Sequence, residues 1–131
     1  MTGVHAMTDV TGFGLLGHLM EMCRGSGLTA ELQFGAIPIL SAARHLAEQG
    51  YATGASERNW QSCAGEITVM AEMPPWHQKI LTDPQTSGGL LVACAPESAP
   101  AVLEVFAREG FKHARAIGRL EAGTPGIRIT A

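Results

Sequence analysis

The chain has 131 residues, 46% of them hydrophobic and 16% charged, and a formal net charge of -3. That length and balance suit one domain with one core and exclude a disordered chain. The small negative charge, without a basic stripe, gives nucleic-acid binding no support, no apolar run is long enough to span a bilayer, and the N-terminus lacks a basic-then-apolar leader pattern.

In chain order, residues 1–8 form a lead-in too short to place. Thr8, Asp9 and Thr11 then precede an apolar run at helical spacing, which predicts a helix from about Gly12 with Thr11 as its N-cap. Leu16, Leu19, Met20 and Cys23 fall on one face, with Phe13 one turn earlier, while His18, Glu21 and Arg24 fall on the polar face, where His18 faces solvent or reaches toward a ligand. Gly12, Gly14 and Gly17 lie inside this helix, each at a cost of about 0.5–1 kcal/mol against alanine. Three such residues imply that another chain segment or a ligand comes close to the backbone. Gly25-Ser26-Gly27 supplies the helix stop.

Leu28 to Phe34 alternates as a strand with one wet face, and Ile37-Pro38 turns the chain. A helix from Ser41 to Gly50 presents Ala43, Leu46 and Ala47 on one face. Residues 51–65 read as irregular, Glu66 to Met73 as a second strand, and Trp76 to Leu81 as a short helix with proline in its first turn. The loop Asp83-Pro84-Gln85-Thr86-Ser87-Gly88-Gly89 feeds Leu90 to Ala95, an apolar run with the pattern of a fully buried strand. Pro96 opens a helix through about Arg108, with Val102, Leu103 and Phe106 inward and Gly110 closing it, and residues 112–120 and 126–130 are late strands. The class expected is α+β, a mixed β-sheet packed with helices, in a single domain over residues 1–131. Cys23, Cys63 and Cys94 are odd in number, far apart and without a CxxC pair. They read as reduced thiols of a cytoplasmic protein and not as a disulfide frame or zinc site.

Two stretches carry chemistry. Free amides at a helix start attract phosphate, and a carboxylate beside them can hold Mg²⁺ against that phosphate, so Thr8 to Gly12 reads as a nucleotide-phosphate or metal corner. Asp9 has two readings, a turn or cap residue and a Mg²⁺ ligand, and no second acidic residue is obviously paired with it. The loop from Asp83 to Gly89 also has two: a tight turn into the following strand, or an anion-binding nest in which Thr86, Ser87, Gly88 and Gly89 approach phosphate. No Gly-Lys-Ser/Thr follows, so it is not a Walker A loop. Arg58 and Asn59 either bind phosphate or tie down their segment. His5 stands near Asp9 in sequence and can join the same corner or bond locally, and Cys63 has no neighbouring base to activate it.

His5-Ala6-Met7-Thr8-Asp9-Val10-Thr11-Gly12-Phe13-Gly14-Leu15-Leu16-Gly17-His18 resembles the opening of the C-terminal domain of the selenophosphate synthetase (selenide, water dikinase) family. Gly54-Ala55-Ser56-Glu57-Arg58-Asn59 resembles that family's middle motif, and Asp83 to Leu91 its most distinctive one, with Ala116-Ile117-Gly118 at the place of a late Ile-Gly. The opening is shared more loosely with the wider aminoimidazole-ribonucleotide-synthetase-like superfamily. The resemblance implies a C-terminal α+β domain of a homodimeric enzyme that turns selenide, ATP and water into selenophosphate, AMP and phosphate with Mg²⁺. It assigns Asp9 to Mg²⁺–ATP and places Thr8, Thr11 and Gly12 beside that site. It also implies that the family's N-terminal ATP-binding domain, with its nucleophile, lysine and further aspartates, is absent from these residues. On that reading residues 1–131 hold no catalytic residue and are a C-terminal fragment, inactive alone. The alternative is a stand-alone, non-enzymatic ligand-binding or regulatory module of the same fold.

Overall fold

The computed structural model describes residues 2–70, 72–86 and 88–131. Among the described residues two sheets and five α-helices make an α+β fold. The first strand, β1 (Val4–Asp9), lies in the supposed lead-in, and it pairs antiparallel with β4 (Leu90–Cys94) as a two-stranded ribbon. The larger sheet has the order β3-β6-β2-β5, from β2 (Leu28–Gln33), β3 (Ile67–Val69), β5 (Gly118–Ala122) and β6 (Gly126–Thr130). Within it β2 is antiparallel to β5 and parallel to β6, and β3 is parallel to β6. The sheet is therefore mixed, as the sequence implies.

Helix α1 (Gly14–Ser26) packs on β2 and β6 through Leu16, Leu19, Met20 and Cys23, all buried. These meet Ala30 and Leu32 of β2, Ile127 and Ile129 of β6, and Phe34, Cys63 and Leu81, in one core. Each large aliphatic side chain buried there contributes about 1.5–3 kcal/mol. The helix ends where expected, with Gly27 as a left-handed C-cap. Its start differs from expectation. The residue before the helix is Phe13, without a side-chain cap bond, and Thr11 closes a turn by accepting the Gly14 N–H at 3.1 Å. Pairing of β1 with β4 keeps the chain extended to Asp9, so a four-residue turn must intervene before helical geometry begins.

Helix α2 (Ser41–Glu48) buries only Ala47, while Ala43 and Leu46 of the expected apolar face are exposed. The expected irregular stretch contains α3 (Gly54–Cys63), whose buried positions are Ser56 and Cys63. The expected strand over 66–73 contracts to β3, and Ala71 lies outside the described residues. Helix α4 (Pro75–Leu81) starts on its proline as predicted. Strand β4 is placed correctly but is not fully buried: Leu90 is 55% exposed, because a two-stranded ribbon leaves one face open. Helix α5 (Ala99–Arg108) follows a short turn at Pro96–Ser98, and its inward residues are only half-buried.

Candidate functional site

The end of β1, the start of α3 and the loop after α4 converge on one corner. The loop is bonded to the Val10–Gly14 turn at two points: Val10 N–H donates to the Gly89 carbonyl at 2.9 Å, and Gln85 N–H donates to the Thr11 carbonyl at 3.0 Å. From α3, the Asn59 amide donates to the Gly12 carbonyl at 2.9 Å and to the Thr82 carbonyl at 3.0 Å. Ser56 Oγ lies 2.7 Å from Thr82 Oγ1 and 3.0 Å from the Lys79 carbonyl, and Thr82 Oγ1 donates to the Gln78 carbonyl at 2.8 Å. Ser56 and Thr82 are buried, so these bonds form where water does not compete and an unmade one would be costly.

Two glycines are explained by this interlock. Gly14 has φ of +73°, and a Cβ there would fall 2.7 Å from the Thr82 carbonyl carbon. A Cβ on Gly88 would fall 2.0 Å from the Val10 carbonyl oxygen. The neighbour at both positions is chain, whereas Gly12 has nothing within 4 Å and stands open.

Of the residues singled out from sequence, Asp9, Thr11, Gly12, Gly88 and Gly89 come together here. Asp9 is the exposed end of β1, opposite Leu90, and its own carbonyl accepts from Thr8 Oγ1 at 3.1 Å. Thr86 is exposed, and Ser87 lies outside the described residues. Asn59 ties the corner down through two carbonyls, while Arg58 is exposed. His18 departs from expectation. It is buried, not solvent-facing, and its Nε2 meets Thr11 N at 3.1 Å and Thr11 Oγ1 at 3.0 Å. Thr82 lies outside every stretch singled out from sequence, and the burial of Ser56 and His18 within their motifs carries no sequence signal.

His5 does not join the corner. It lies near the other end of β1, where with Cys94, Glu97, Met22 and Leu120 it lines a cleft of about 430 Å³ between the ribbon and the larger sheet. Cys23, Cys63 and Cys94 are free, and burial pushes the Cys23 and Cys63 thiols up. Both are core thiols whose burial disfavours the thiolate.

The corner bears two aspartates with different surroundings. Burial raises the proton affinity of Asp83, whereas Asp9 is exposed. Among the described residues no group of three or more His, Cys, Asp and Glu side chains could hold a metal ion. Asp9 is the exposed carboxylate of the corner, and a single carboxylate can hold Mg²⁺ only where phosphate oxygens and water supply the other positions.

A family model described as AIR synthase related protein, C-terminal domain, matches residues 1–129. The chain is 49% identical over 129 residues to a selenide, water dikinase of Dechloromonas aromatica, covering 98% of this chain and 37% of the relative. It is 52% identical over 126 residues to a selenide, water dikinase of Rhizobium meliloti, covering 96% of this chain and 36% of the relative. The chain thus spans little more than a third of the length of these relatives. Among solved structures it is similar to HypE of E. coli, a hydrogenase maturation protein, with a TM-score of 0.70 and 18% identity, covering 100% of this chain and 33% of that one. At that identity the likeness is one of fold.

Proposed function

This chain belongs to the AIR synthase related protein C-terminal domain family, and from that premise we propose that it serves as the C-terminal part of a selenide, water dikinase. The observation that carries the reading is the corner. The three stretches that resemble the selenium enzyme's motifs are far apart in sequence, yet they interlock through Val10–Gly89, Thr11–Gln85 and Asn59–Gly12. About half identity to dikinases over nearly the whole chain supports the same activity.

In the complete enzyme, ATP, selenide and water give selenophosphate, AMP and phosphate. Asp9 supplies one oxygen ligand to a Mg²⁺ that neutralises phosphate charge, and Thr8, Thr11 and Gly12 border it. Thr86, Gly88 and Gly89 stand on the other side, and the resemblance adds Ser87 to the same loop. The catalytic nucleophile and the remaining metal ligands come from a further ATP-binding domain, and the enzyme works as a homodimer. A cytoplasmic setting accords with three free thiols.

A chimaera tests this reading. Residues 1–131 replace the matching third of the Dechloromonas aromatica dikinase, and selenide-dependent AMP formation is measured. The chimaera is expected to turn over. Asp9→Asn is expected to cut AMP formation by about a hundredfold at limiting Mg²⁺, since metal charge stabilisation is worth several kcal/mol. The same change leaves the stability of residues 1–131 within about 0.5 kcal/mol, as for other exposed positions. A folded but inactive chimaera overturns the proposed activity. An Asp9→Asn chimaera that works normally at limiting Mg²⁺ overturns the metal role alone.

A further inference from the structure

Thr11 and His18 hold each other in a way that assigns their hydrogens. A backbone N–H can only donate, so the Thr11 N–H at 3.1 Å requires a lone pair on His18 Nε2. The ring proton then sits on Nδ1, which is buried, has no hydrogen-bond partner among the described residues, and lies 3.8 Å from Glu21 Oε2. With no hydrogen on Nε2, the contact of 3.0 Å to Thr11 Oγ1 is a bond that the hydroxyl donates. The Thr11 N–H and O–H are therefore both turned inward and share the single lone pair of Nε2. The Phe13 ring, with its centroid 5.6 Å from that of the imidazole, packs beside it, and Gly17 leaves room because a Cβ there would meet Phe13 Cβ at 2.6 Å.

We propose that His18 is a positioning residue that makes the Thr11 side of the corner an acceptor surface. The proposal rests on the reading of that corner as the Mg²⁺–ATP face. With its hydrogen committed to His18, Thr11 Oγ1 has only lone pairs to offer outward, and the Thr11 amide is not free to bind an anion. Together with the Asp9 carboxylate this side suits a cation, a metal-bound water or a ligand hydroxyl. It does not suit a bare phosphate oxygen.

The tautomer is measured on ¹⁵N-labelled residues 1–131 through correlations between ring nitrogens and ring carbon-bound protons. The Nδ1-protonated form is expected, and an Nε2-protonated ring overturns the proposal without reference to any activity. Two variants then separate positioning from mere packing. In His18→Gln the side-chain oxygen reaches the place of Nε2 and can accept the same hydrogens, whereas in His18→Asn the acceptor stops a bond short. Exchange of the Thr11 amide hydrogen is expected to stay near the native rate in His18→Gln and to rise about tenfold in His18→Asn, the size of one lost hydrogen bond. In the chimaera, His18→Asn raises the Mg²⁺ concentration for half-maximal AMP formation about tenfold, and His18→Gln restores it. An unmoved Mg²⁺ requirement in a folded His18→Asn chimaera makes His18 a packing residue and overturns the proposal. A chimaera inactive with His18 in place defeats the functional reading instead, and the tautomer and exchange results still decide how Thr11 is held.

Discussion

Two polar networks bind distant stretches of this chain, and they do it with different chemistry. At the corner, the neutral side chains of Asn59, Ser56 and Thr82 bond to backbone carbonyls, and Ser56 and Thr82 are buried. On the larger sheet, Glu31 faces Arg119 across β5 and Arg128 across β6, with ion pairs at 3.5 and 3.1 Å, and Glu121 completes the set. The ionic network runs across strands that backbone ladders and a core already hold. The neutral one fixes loops that have no ladder of their own beyond two backbone bonds. A network is costly to lose where it is the only thing specifying the backbone, not where its charges are largest.

The largest effect is expected where the corner admits no side chain. Gly14→Ala places a Cβ against the Thr82 backbone at a residue with positive φ, and is expected to cost about 3 kcal/mol from strain and overpacking together. Gly12→Ala, two residues earlier with open space around it, is expected to change stability by less than about 0.5 kcal/mol. Urea denaturation of both variants reads the difference. Equal costs would mean that the close approach of Thr82 is not what holds the turn.

Next come the two networks directly. Asn59→Ala removes the side-chain donor from two carbonyls at once and is expected to cost about 2 kcal/mol. Glu31→Gln weakens ion pairs to partners that stay solvated and is expected to cost less than about 1 kcal/mol. Added salt shrinks the Glu31 effect by screening and leaves the Asn59 effect in place. Melting both variants at low and high salt would reverse this comparison if Glu31→Gln proved the costlier.

The same contrast explains what was legible in the sequence. The core face of α1, the alternation of β2 and the proline start of α4 declare themselves because apolar periodicity and φ restriction act locally. Helix α3 was missed because it buries Ser56 and Cys63 and so carries no apolar stripe. Strand β1 carries no local signal because its partner β4 lies far along the chain, Val4 pairing with Cys94 and Asp9 with Leu90. The apolar run of β4 promised full burial, but burial is set by how many layers a sheet faces, and this ribbon is two strands wide. The motifs contain Asp9, Thr11, Gly88 and Gly89, which the fold brings to one corner. Their joints at Ser56, Thr82 and His18 could not be seen, because a hydroxyl or an imidazole in a buried bond looks the same in sequence as one in water.

The smallest effect lies behind the corner, at the aromatic cluster on α4. The His77 ring stacks on Phe34 with centroids 3.7 Å apart and planes 9° from parallel, and Trp76 meets it edge-on at 4.2 Å. Burial first, and the Arg44 guanidinium second, lower its pKa below the ordinary 6.5. The native state thus resists a proton that the unfolded chain accepts, so stability rises with pH through the window between the lowered native value and 6.5. Acidification from neutral pH through that window should destabilise the native chain and shift its unfolding midpoint downward. His77→Phe keeps a ring on Phe34 and removes the titration, so its midpoint should fall less over the same range. Because α4 runs directly into Thr82, the acid-weakened native chain should also show faster amide exchange at Thr82, and His77→Phe should suppress it. Parallel pH profiles for the two chains would remove His77 as the source of the slope.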